Sequence, residues 1–590
     1  MTTNSSTRRR LAAGSALVVA ALLGTAACGG GNDNGGDGDG KAAGFNAATK
    51  GIANKSAKKG GTLKFAGSQD FDSLDPARMY YGFAWDFSRF YTRQLVSYAT
   101  EPGVKSTSLV PDLATGMAEI SDDGKTYKYT LRDGVTFEDG SPITSKDIKY
   151  GIERTWATDV IAGGPGYLKQ VLDPKGEYKG PYKDKSKDKL GLKAIETPDD
   201  KTIIFKLPKP NGDFEQILAL PTSTPVPQAK DTGAKFGLKP FSSGPYKFES
   251  YTPGKGGTLV RNTNWKKSSD PIRPALPDKI TVTISSNADD IDKRLIKGDY
   301  DLDLNATGMT QSGRTEALQK HKANVDNGLT NFIRYAVFPE TVAPMNNIDC
   351  RKAVIYAADK KSLQTARGGP LAGGEIAENM LPKSIKGTDN YDPYGVLKDP
   401  GANVAKAKEH LKACGKPNGF KTTISVRNNK PQEVATAESL QASLEKVGIK
   451  AEIDQIDGAQ SSSINGSPKV VKSKGYGIII SGWGPDFPTG QGFSQPLVDG
   501  RFIVPSGNYN NSETDDPKIN KLFDDAIAET DPDKAGEIYK EINHMVSDRA
   551  VYLPFVYEKT ITWRSSRLTN VYTADSYSGR YDYVSLGVVK

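Results

Sequence analysis

Short alternations of apolar and polar residues, separated by glycine and proline turns, dominate the first half of the chain. Residues 61–66 alternate as a first β-strand would, and residues 127–135 alternate again up to the turn at Asp133 and Gly134. After Asn331 strand-like runs alternate instead with apolar periodicities of helical length. This change of pattern predicts an α/β protein with more than one folded unit, because strands that alternate with helices build parallel sheets.

The predicted elements of the second half form one regular series. The strands are expected at 332–338, 422–426, 449–456 and 476–481, and the helices at 350–358, 402–413, 433–447, 518–529 and 534–546. The last 30 residues are strand-like again, and we expect them to return to the first unit.

The longest apolar run, Leu11 to Ala27, lies near the amino terminus. Three arginines, Arg8 to Arg10, precede it, and a glycine-rich polar stretch follows. This order is typical of a secretory signal, and the run is shorter than the roughly 20 residues that cross a bilayer. We therefore predict a signal peptide over residues 1–27 and an extracytoplasmic location, with the general and twin-arginine export routes both open.

The seven residues Leu22-Leu23-Gly24-Thr25-Ala26-Ala27-Cys28 resemble the lipobox of bacterial lipoproteins, although Thr25 stands where leucine is more usual. The resemblance implies cleavage before Cys28 and a lipid on its sulfur, which would anchor the protein to the outer face of the cell membrane. A plain signal peptide followed by a chance cysteine is the alternative. Residues 28–60 contain almost no large apolar side chains, so we predict a flexible tether there.

Length, charge and cysteine content narrow the class of protein further. The body after residue 27 is too long for one hydrophobic core, so two or three domains are expected. A formal charge of +8 arises from 78 basic and 70 acidic residues, a mixed balance that does not predict nucleic-acid binding. Cys350 and Cys414 are the only cysteines after Cys28, and an exported chain permits a disulfide between them. Two separate buried thiols are the alternative.

Known catalytic and cofactor motifs are missing from the sequence. The three histidines, His321, His410 and His544, are far apart and form no H-E-x-x-H pair. The sequence contains neither a G-x-S-x-G turn nor a G-x-x-x-x-G-K-[ST] phosphate loop. Joined to the family resemblance that follows, these absences predict a binding protein that is not an enzyme and carries no metal or other cofactor.

The segment from Ala118 to Asp147, which begins AEISDDGKTYKYTLRDGVTFEDG, resembles the signature of the family 5 extracellular solute-binding proteins, the oligopeptide and dipeptide receptors of ABC importers. Further pieces stand in the family's order, namely SLDP at 73–76, SGPY at 243–246, CRKAV at 350–354 and GWGPDFP at 482–488. The resemblance implies an α/β, two-lobed periplasmic-binding-protein-like fold (type II, cluster C) with an inserted third subdomain. Lobe I would comprise 61–98, 221–325 and 560–590, the inserted subdomain 99–220, and lobe II 326–559.

The candidate binding segment follows the apolar strand at 476–481, and ligands bind α/β sheets beyond such strand ends. Gly482 would allow close approach, Trp483 and Phe487 would offer flat apolar walls, and Asp486 would offer one negative charge. In peptide-binding relatives the aspartate at this position pairs with the ligand's α-ammonium group. Tyr80 and Tyr81 are expected from the facing lobe. The competing interpretation is that Asp486 caps a turn and Trp483 belongs to the core.

Together these features predict a monomeric, lipid-anchored receptor that binds a short peptide or another small solute and delivers it to ABC permease subunits. Two alternatives remain open at this point. One is a lipid-anchored secreted hydrolase, and the other is a receptor that senses peptides without transporting them.

Overall fold

The computed structural model describes residues 43–589, which contain three principal β-sheets. The signal peptide, Cys28 and the rest of residues 1–42 lie outside the described residues, as does Lys590. Across residues 43–589 we find no helix with the length and apolar character needed to cross a bilayer.

The first sheet has five strands and is built from residues distant in sequence. In spatial order its strands are Leu302–Asp303, Thr62–Gly67, Lys279–Ile284, Gly256–Arg261 and Tyr246–Thr252. The alternation that predicts the first strand places Leu63 and Phe65 in the core, where both side chains are fully buried. Helices Gly82–Ser88, Ala288–Lys297 and Gln311–Lys320 and the closing segments Leu568–Thr569, Thr573–Ala574, Arg580–Tyr581 and Gly587–Val588 complete this unit.

A smaller sheet of four strands shares its hydrophobic core with the first sheet. Its strands are, in spatial order, Glu119–Ser121, Thr126–Thr130, Thr202–Lys206 and Ile195–Glu196, with helices Ser145–Glu153, Tyr167–Leu172 and Phe214–Leu218 beside them. The helix Ser145–Glu153 begins with a capping box, in which Thr144 and Asp147 each accept the other's backbone N–H. The family signature therefore specifies strands, turns and a helix start in this subdomain.

The third sheet has six strands with helices on both faces. In spatial order the strands are Glu375–Ile376, Tyr552–Trp563, Val325–Val337, Tyr476–Trp483, Lys421–Arg427 and Lys450–Ile456. Ile478 and Ile480 pack into one core and Ile479 into the other, as expected for a strand covered on both sides. The larger helices are Ile348–Ala357, Lys360–Ala366, Val404–Ala413 and Pro431–Glu445, and Pro468–Lys474, Gly490–Val498, Pro517–Ala528 and Pro532–Asp548.

Cys350 and Cys414 are joined by a disulfide, with their Cα atoms 5.4 Å apart. Cys350 lies in the helix Ile348–Ala357, and Cys414 caps the carboxyl end of Val404–Ala413. The bond closes a loop with a sequence separation of 64 residues. A loop of this length corresponds to about 4 kcal/mol of stabilisation on the chain-entropy estimate.

Two long strands, Val325–Val337 and Tyr552–Trp563, connect the first sheet's unit with the six-stranded sheet, and we call them the crossing strands. They pair antiparallel along their length, with register shifts between Leu329 and Ile333 and between Arg334 and Tyr335. Where Val325–Val337 begins and Tyr552–Trp563 ends, Asp326 and Arg564 form a buried ion pair of 2.8 Å. The crossing strands are thus tied together where the two units meet.

Residues 43–60, here called the N-terminal segment, differ from the predicted flexible tether. They form the short helix Ala47–Lys50, and the backbone N–H of Ala48 donates to Asp326 over 3.0 Å. Ala53 pairs with Val571 as an isolated β-bridge. The prediction is wrong here because backbone hydrogen bonds to the crossing strands and to the closing segments hold the chain, and these need few large apolar side chains.

Candidate functional site

A cavity of about 510 Å³ lies between the first sheet's unit and the six-stranded sheet. Its size is within the range of small-molecule sites. From the first unit come residues 80–82, Trp85 and residues 576–578 with Arg580. From the opposite side come Phe332, Tyr335, Arg427, residues 479–486 and parts of 458–466 and 507–511. The strand Tyr476–Trp483 therefore ends at the cavity, as the sequence pattern predicts.

Asp486 joins the two sides of this cavity. The hydroxyl of Tyr80 donates to its Oδ2 over 2.9 Å, and the hydroxyl of Tyr167 donates to the same oxygen over 2.5 Å. Tyr80 precedes the helix Gly82–Ser88, and Tyr167 begins the helix beside the small sheet. Both tyrosines thus approach Asp486 from the facing unit. Among residues 43–589 no cationic side chain forms an ion pair with it.

The electrostatics of the site follow from burial. Burial raises the pKa of Asp486 to about 6, although the hydrogen bonds from Tyr167 and Tyr80 favour the ionised form and limit the rise. Burial, together with the neighbouring carboxylate of Asp486, raises the pKa values of Tyr80 and Tyr167 well above the ordinary value of a tyrosine. Tyr80 and Tyr167 therefore remain protonated hydrogen-bond donors at neutral pH.

Trp483 lies on the cavity wall with its ring against that of Tyr509, at a centroid distance of 4.8 Å. The indole is 9% exposed, and its Nε1–H has no hydrogen-bond acceptor in the described part of the protein. Tyr509 is 48% exposed, so it lies on the solvent side of this pair of rings. The two rings form an aromatic surface that a ligand can contact.

The glycines of the binding segment are required for packing. A Cβ atom on Gly482 would lie 2.6 Å from Cδ of Arg334, and one on Gly484 would lie 2.5 Å from the ring of Phe332. Gly482 lines the cavity, but the need for glycine comes from the side chain behind it. Close approach of a ligand is therefore not the only reason for glycine at this position.

The other predicted residues divide between the cavity and the core. Tyr81 lines the cavity and is 40% exposed. Phe487 does not line it, since its side chain is 1% exposed and packs edge-on against Tyr167 at 5.1 Å. Phe487 instead belongs to the core shared by the first two sheets. It thus contributes to contact between the two sides.

Three residues that bear on the site were not predicted from the sequence. Tyr167 lies in a glycine- and lysine-rich stretch that resembles an irregular surface loop. Arg427 and Arg580 line the cavity, but no motif marks either. Arg427 ends the strand Lys421–Arg427, so the rule that ligands bind beyond strand ends could have identified it.

The described residues also show whether a metal ion or a histidine could act at the cavity. Within residues 43–589 no group of three or more His, Cys, Asp or Glu side chains is placed to hold a metal ion. His410 and His544 each contact an aspartate, Asp349 and Asp389, and neither histidine lines the cavity. The cavity wall itself presents polar side chains, such as Asp486 and Arg427, and the aromatic rings of Trp483 and Tyr509.

Comparison with protein families identifies one matching model, "Bacterial extracellular solute-binding proteins, family 5 Middle", over residues 108–503. A probable D,D-dipeptide-binding periplasmic protein of Escherichia coli (strain K12) is 26% identical over 502 residues, which cover 83% of this chain and 87% of that protein. A heme-binding protein A of Haemophilus influenzae is 27% identical over 506 residues, covering 82% and 84%.

Solved structures resemble the whole described body. The clavulanic acid biosynthesis oligopeptide binding protein 2 superimposes with a TM-score of 0.90 at 38% identity, covering 93% of this chain and 99% of that one. A periplasmic binding protein from Helicobacter pylori, solved in complex with the peptide STSA, gives a TM-score of 0.71 at 22% identity and covers 90% and 99%. These neighbours confirm the predicted two-lobed α/β fold.

Proposed function

The chain belongs to family 5 of the bacterial extracellular solute-binding proteins, and from this premise we propose that it binds a short peptide in the cavity and delivers it to the permease of an ABC importer. The observation that carries the proposal is Asp486, a carboxylate on the cavity wall with no cationic partner among residues 43–589. Its two hydrogen bonds both reach Oδ2, so Oδ1 can accept from a ligand ammonium. The oligopeptide-binding neighbour at 38% identity supports a peptide as the ligand class.

The remaining walls suit a ligand of variable side chains. Trp483 and Tyr509 supply flat apolar faces, and serine and asparagine side chains at 461, 462, 465, 508 and 511 surround the cavity with polar groups. Such groups bind directly or through water, which tolerates different side chains. Asp486 as an anchor, together with adaptable walls, therefore favours recognition of a common peptide end over recognition of one sequence.

The two lobes would close over the ligand by rotation about the crossing strands. Lobe I would correspond to 61–98, 221–325 and 560–590, the inserted subdomain to 99–220, and lobe II to 326–559. Tyr80 and Tyr167 on one side and Asp486 on the other would meet on closure. Each of these contacts spans more than 300 residues of sequence.

The protein would act as a monomer on the outer face of the cell membrane, attached through a lipid on Cys28. Cys28 lies outside the described residues, so this step rests on the lipobox resemblance. A receptor held beside its permease gains from the higher local concentration. No cofactor and no catalysis are needed for this role.

The proposed function predicts stabilisation by peptides without their consumption. Thermal unfolding of the soluble body should be measured with and without di- to pentapeptides, and mass spectrometry should follow each peptide. A ligand present at 100 times its Kd stabilises the folded state by about 2.7 kcal/mol, which raises Tm. Hydrolysis of a peptide would contradict the proposal, as would a panel in which no peptide raises Tm.

A second prediction concerns pH. The raised pKa of unliganded Asp486, about 6, lets it take up a proton below that pH, whereas a ligand ammonium favours the ionised form. For the unliganded protein, protonation of Asp486 therefore contributes stability below its unfolded pKa, and this contribution is lost as the pH rises through about 6. Ligand affinity should change in the opposite direction, because the ligand favours the ionised carboxylate. The Kd of a free-amine peptide should be about tenfold larger at pH 5 than at pH 7.

Isothermal titration at both pH values measures this effect. Burial also raises the pKa of Asp213 to about 6, and Asp213 contacts Thr489 across the two sides, so a matched control is needed. The variant Asp486→Asn retains Asp213 and should bind with little pH dependence. An equal pH dependence in this variant would assign the effect to Asp213 or another group.

A further inference from the structure

A second contact between the two sides of the protein lies outside the cavity. The hydroxyl of Thr489 donates to Oδ2 of Asp213 over 2.6 Å. The backbone N–H of Gly212 donates to the carbonyl oxygen of Ile527 over 2.7 Å. Gly212 and Asp213 precede the helix Phe214–Leu218 beside the small sheet, whereas Thr489 and Ile527 belong to the unit of the six-stranded sheet. None of these four residues lines the cavity, so a ligand bound there would not touch them.

Asp213 relies on Thr489 for the hydrogen bonding of its carboxylate, which is half-buried. Among residues 43–589 this carboxylate accepts no other hydrogen bond and forms no ion pair. Burial and, to a smaller extent, the charge of Asp213 raise the pKa of Tyr539, whose ring packs beneath Gly490 at the start of the helix that follows Thr489. Asp213 therefore reaches into the opposite unit. Water can hydrate the carboxylate when the two sides separate, so the contact is reversible.

Gly212 allows the backbones of the two sides to touch. A Cβ atom on Gly212 would lie 2.1 Å from the carbonyl oxygen of Glu529, which is too close for two atoms that are not bonded. The φ angle of Gly212 lies outside the left-handed region, so alanine can adopt this backbone conformation. The need for glycine at this position therefore comes from the opposite side, and it disappears when the two sides move apart.

We propose that Gly212, Asp213, Thr489 and Ile527 form a latch that stabilises the closed arrangement of the two sides and thereby sets the affinity for every ligand alike. The inference rests on the proposed function, in which the lobes close over a peptide. The apparent Kd of a ligand that needs the closed form is its intrinsic Kd divided by the closed fraction. A weaker latch lowers this fraction and should therefore weaken all ligands by one common factor.

The variant Gly212→Ala tests the latch by steric exclusion, because the added methyl group fits only when the two sides are apart. Small-angle X-ray scattering of the protein without ligand should give a larger radius of gyration than for the unmodified protein. Isothermal titration with trialanine, trileucine and trilysine should give Kd values about tenfold larger, by the same factor for each peptide. Gly116→Ala is the matched control in the same subdomain, since a Cβ atom there meets nothing within 4 Å, and it should change neither quantity.

The variants Asp213→Ala and Thr489→Val remove the side-chain half of the latch. Each should enlarge the Kd of all three peptides by a common factor. The double variant should fall no further than Thr489→Val alone, because the two groups act through one hydrogen bond. Thr489→Ser keeps the hydroxyl, which also caps the helix Gly490–Val498 by accepting from the backbone N–H of Gly492, and it should recover the affinity.

Failure of the latch can be distinguished from failure of the proposed function. If Gly212→Ala changes neither the radius of gyration nor any Kd, the latch is overturned and peptide binding stands. A loss of affinity confined to one of the three peptides would also overturn it, since the contact would then act on the ligand. If the unmodified protein binds no peptide, the proposed function fails, and the scattering comparison still decides whether the latch exists.

Discussion

Replacing Asp486 by asparagine is expected to weaken the binding of a free-amine peptide by about 10- to 100-fold. Asparagine has nearly the same shape, and its amide oxygen can still accept from Tyr80 and Tyr167, so the contact between the two sides is largely kept. The negative charge is lost, however, and with it the charge-assisted hydrogen bond to the ligand ammonium. The fall in affinity therefore reports the charge more than the packing.

The matched ligand for this experiment is the same peptide with an acetylated amino terminus. Its affinity for the unmodified protein should already be low, and Asp486→Asn should change it little. Isothermal titration of both peptides against both proteins gives a complete double-mutant cycle. If the unmodified protein binds the free-amine and acetylated peptides equally well, pairing of the ammonium with Asp486 is excluded.

The largest effect on stability is expected from Asp326→Ala. Asp326 is 1% exposed and accepts hydrogen bonds from Nε of Arg564, the hydroxyl of Tyr581 and the backbone of Ala48. Its removal would leave the guanidinium of Arg564 buried without a carboxylate, which typically costs about 3–5 kcal/mol. The free energy of unfolding, measured by urea denaturation, should fall by this amount.

Two controls test the reason for this loss. Asp326→Leu combined with Arg564→Met removes both charges and should be less destabilising than Asp326→Ala alone, because no buried charge is left unpaired. Glu119→Ala removes a surface ion pair with Lys128 and should cost no more than about 1 kcal/mol. A loss below about 1 kcal/mol for Asp326→Ala would show that Arg564 finds other partners.

The fold could be predicted from the sequence because the patterns that mark its strands and turns are local. Alternation at residues 61–66 places Leu63 and Phe65 inward, and the glycine turns near Asp133 and Asp139 form the recognisable family segment. The position of Asp486 was also predictable, since it follows a buried strand by a few residues. These inferences need only neighbouring residues and general rules of sheet architecture.

The rest of the site depends on contacts between distant parts of the chain. Tyr167 reaches Asp486 across 319 residues, and its own surroundings in sequence are polar and rich in glycine. Arg580 becomes part of the cavity only because the closing segments pack beside the helix Gly82–Ser88, where its Nη1 would lie 3.0 Å from a Cβ on Gly82. Phe487 was assigned to the wall, but the facing lobe covers it. The relative placement of two units decides the cases of Tyr167 and Phe487, and the packing of distant segments within one unit decides that of Arg580.

If the protein delivers ligand as proposed, the N-terminal segment has a consequence for the mechanics of that step. It lies against the first residues of the crossing strand Val325–Val337, where Asn46 donates its backbone N–H to the carbonyl oxygen of Val325 and its side-chain oxygen accepts from the backbone N–H of Asn327. A rotation displaces each point in proportion to its distance from the axis, so a point near the crossing strands moves little when the outer tips of the lobes swing. Under the proposed lipid attachment, a tether that joins the body at residue 43 would hold the protein near its hinge axis, so that both lobes could rotate while the proposed permease contact stays in place.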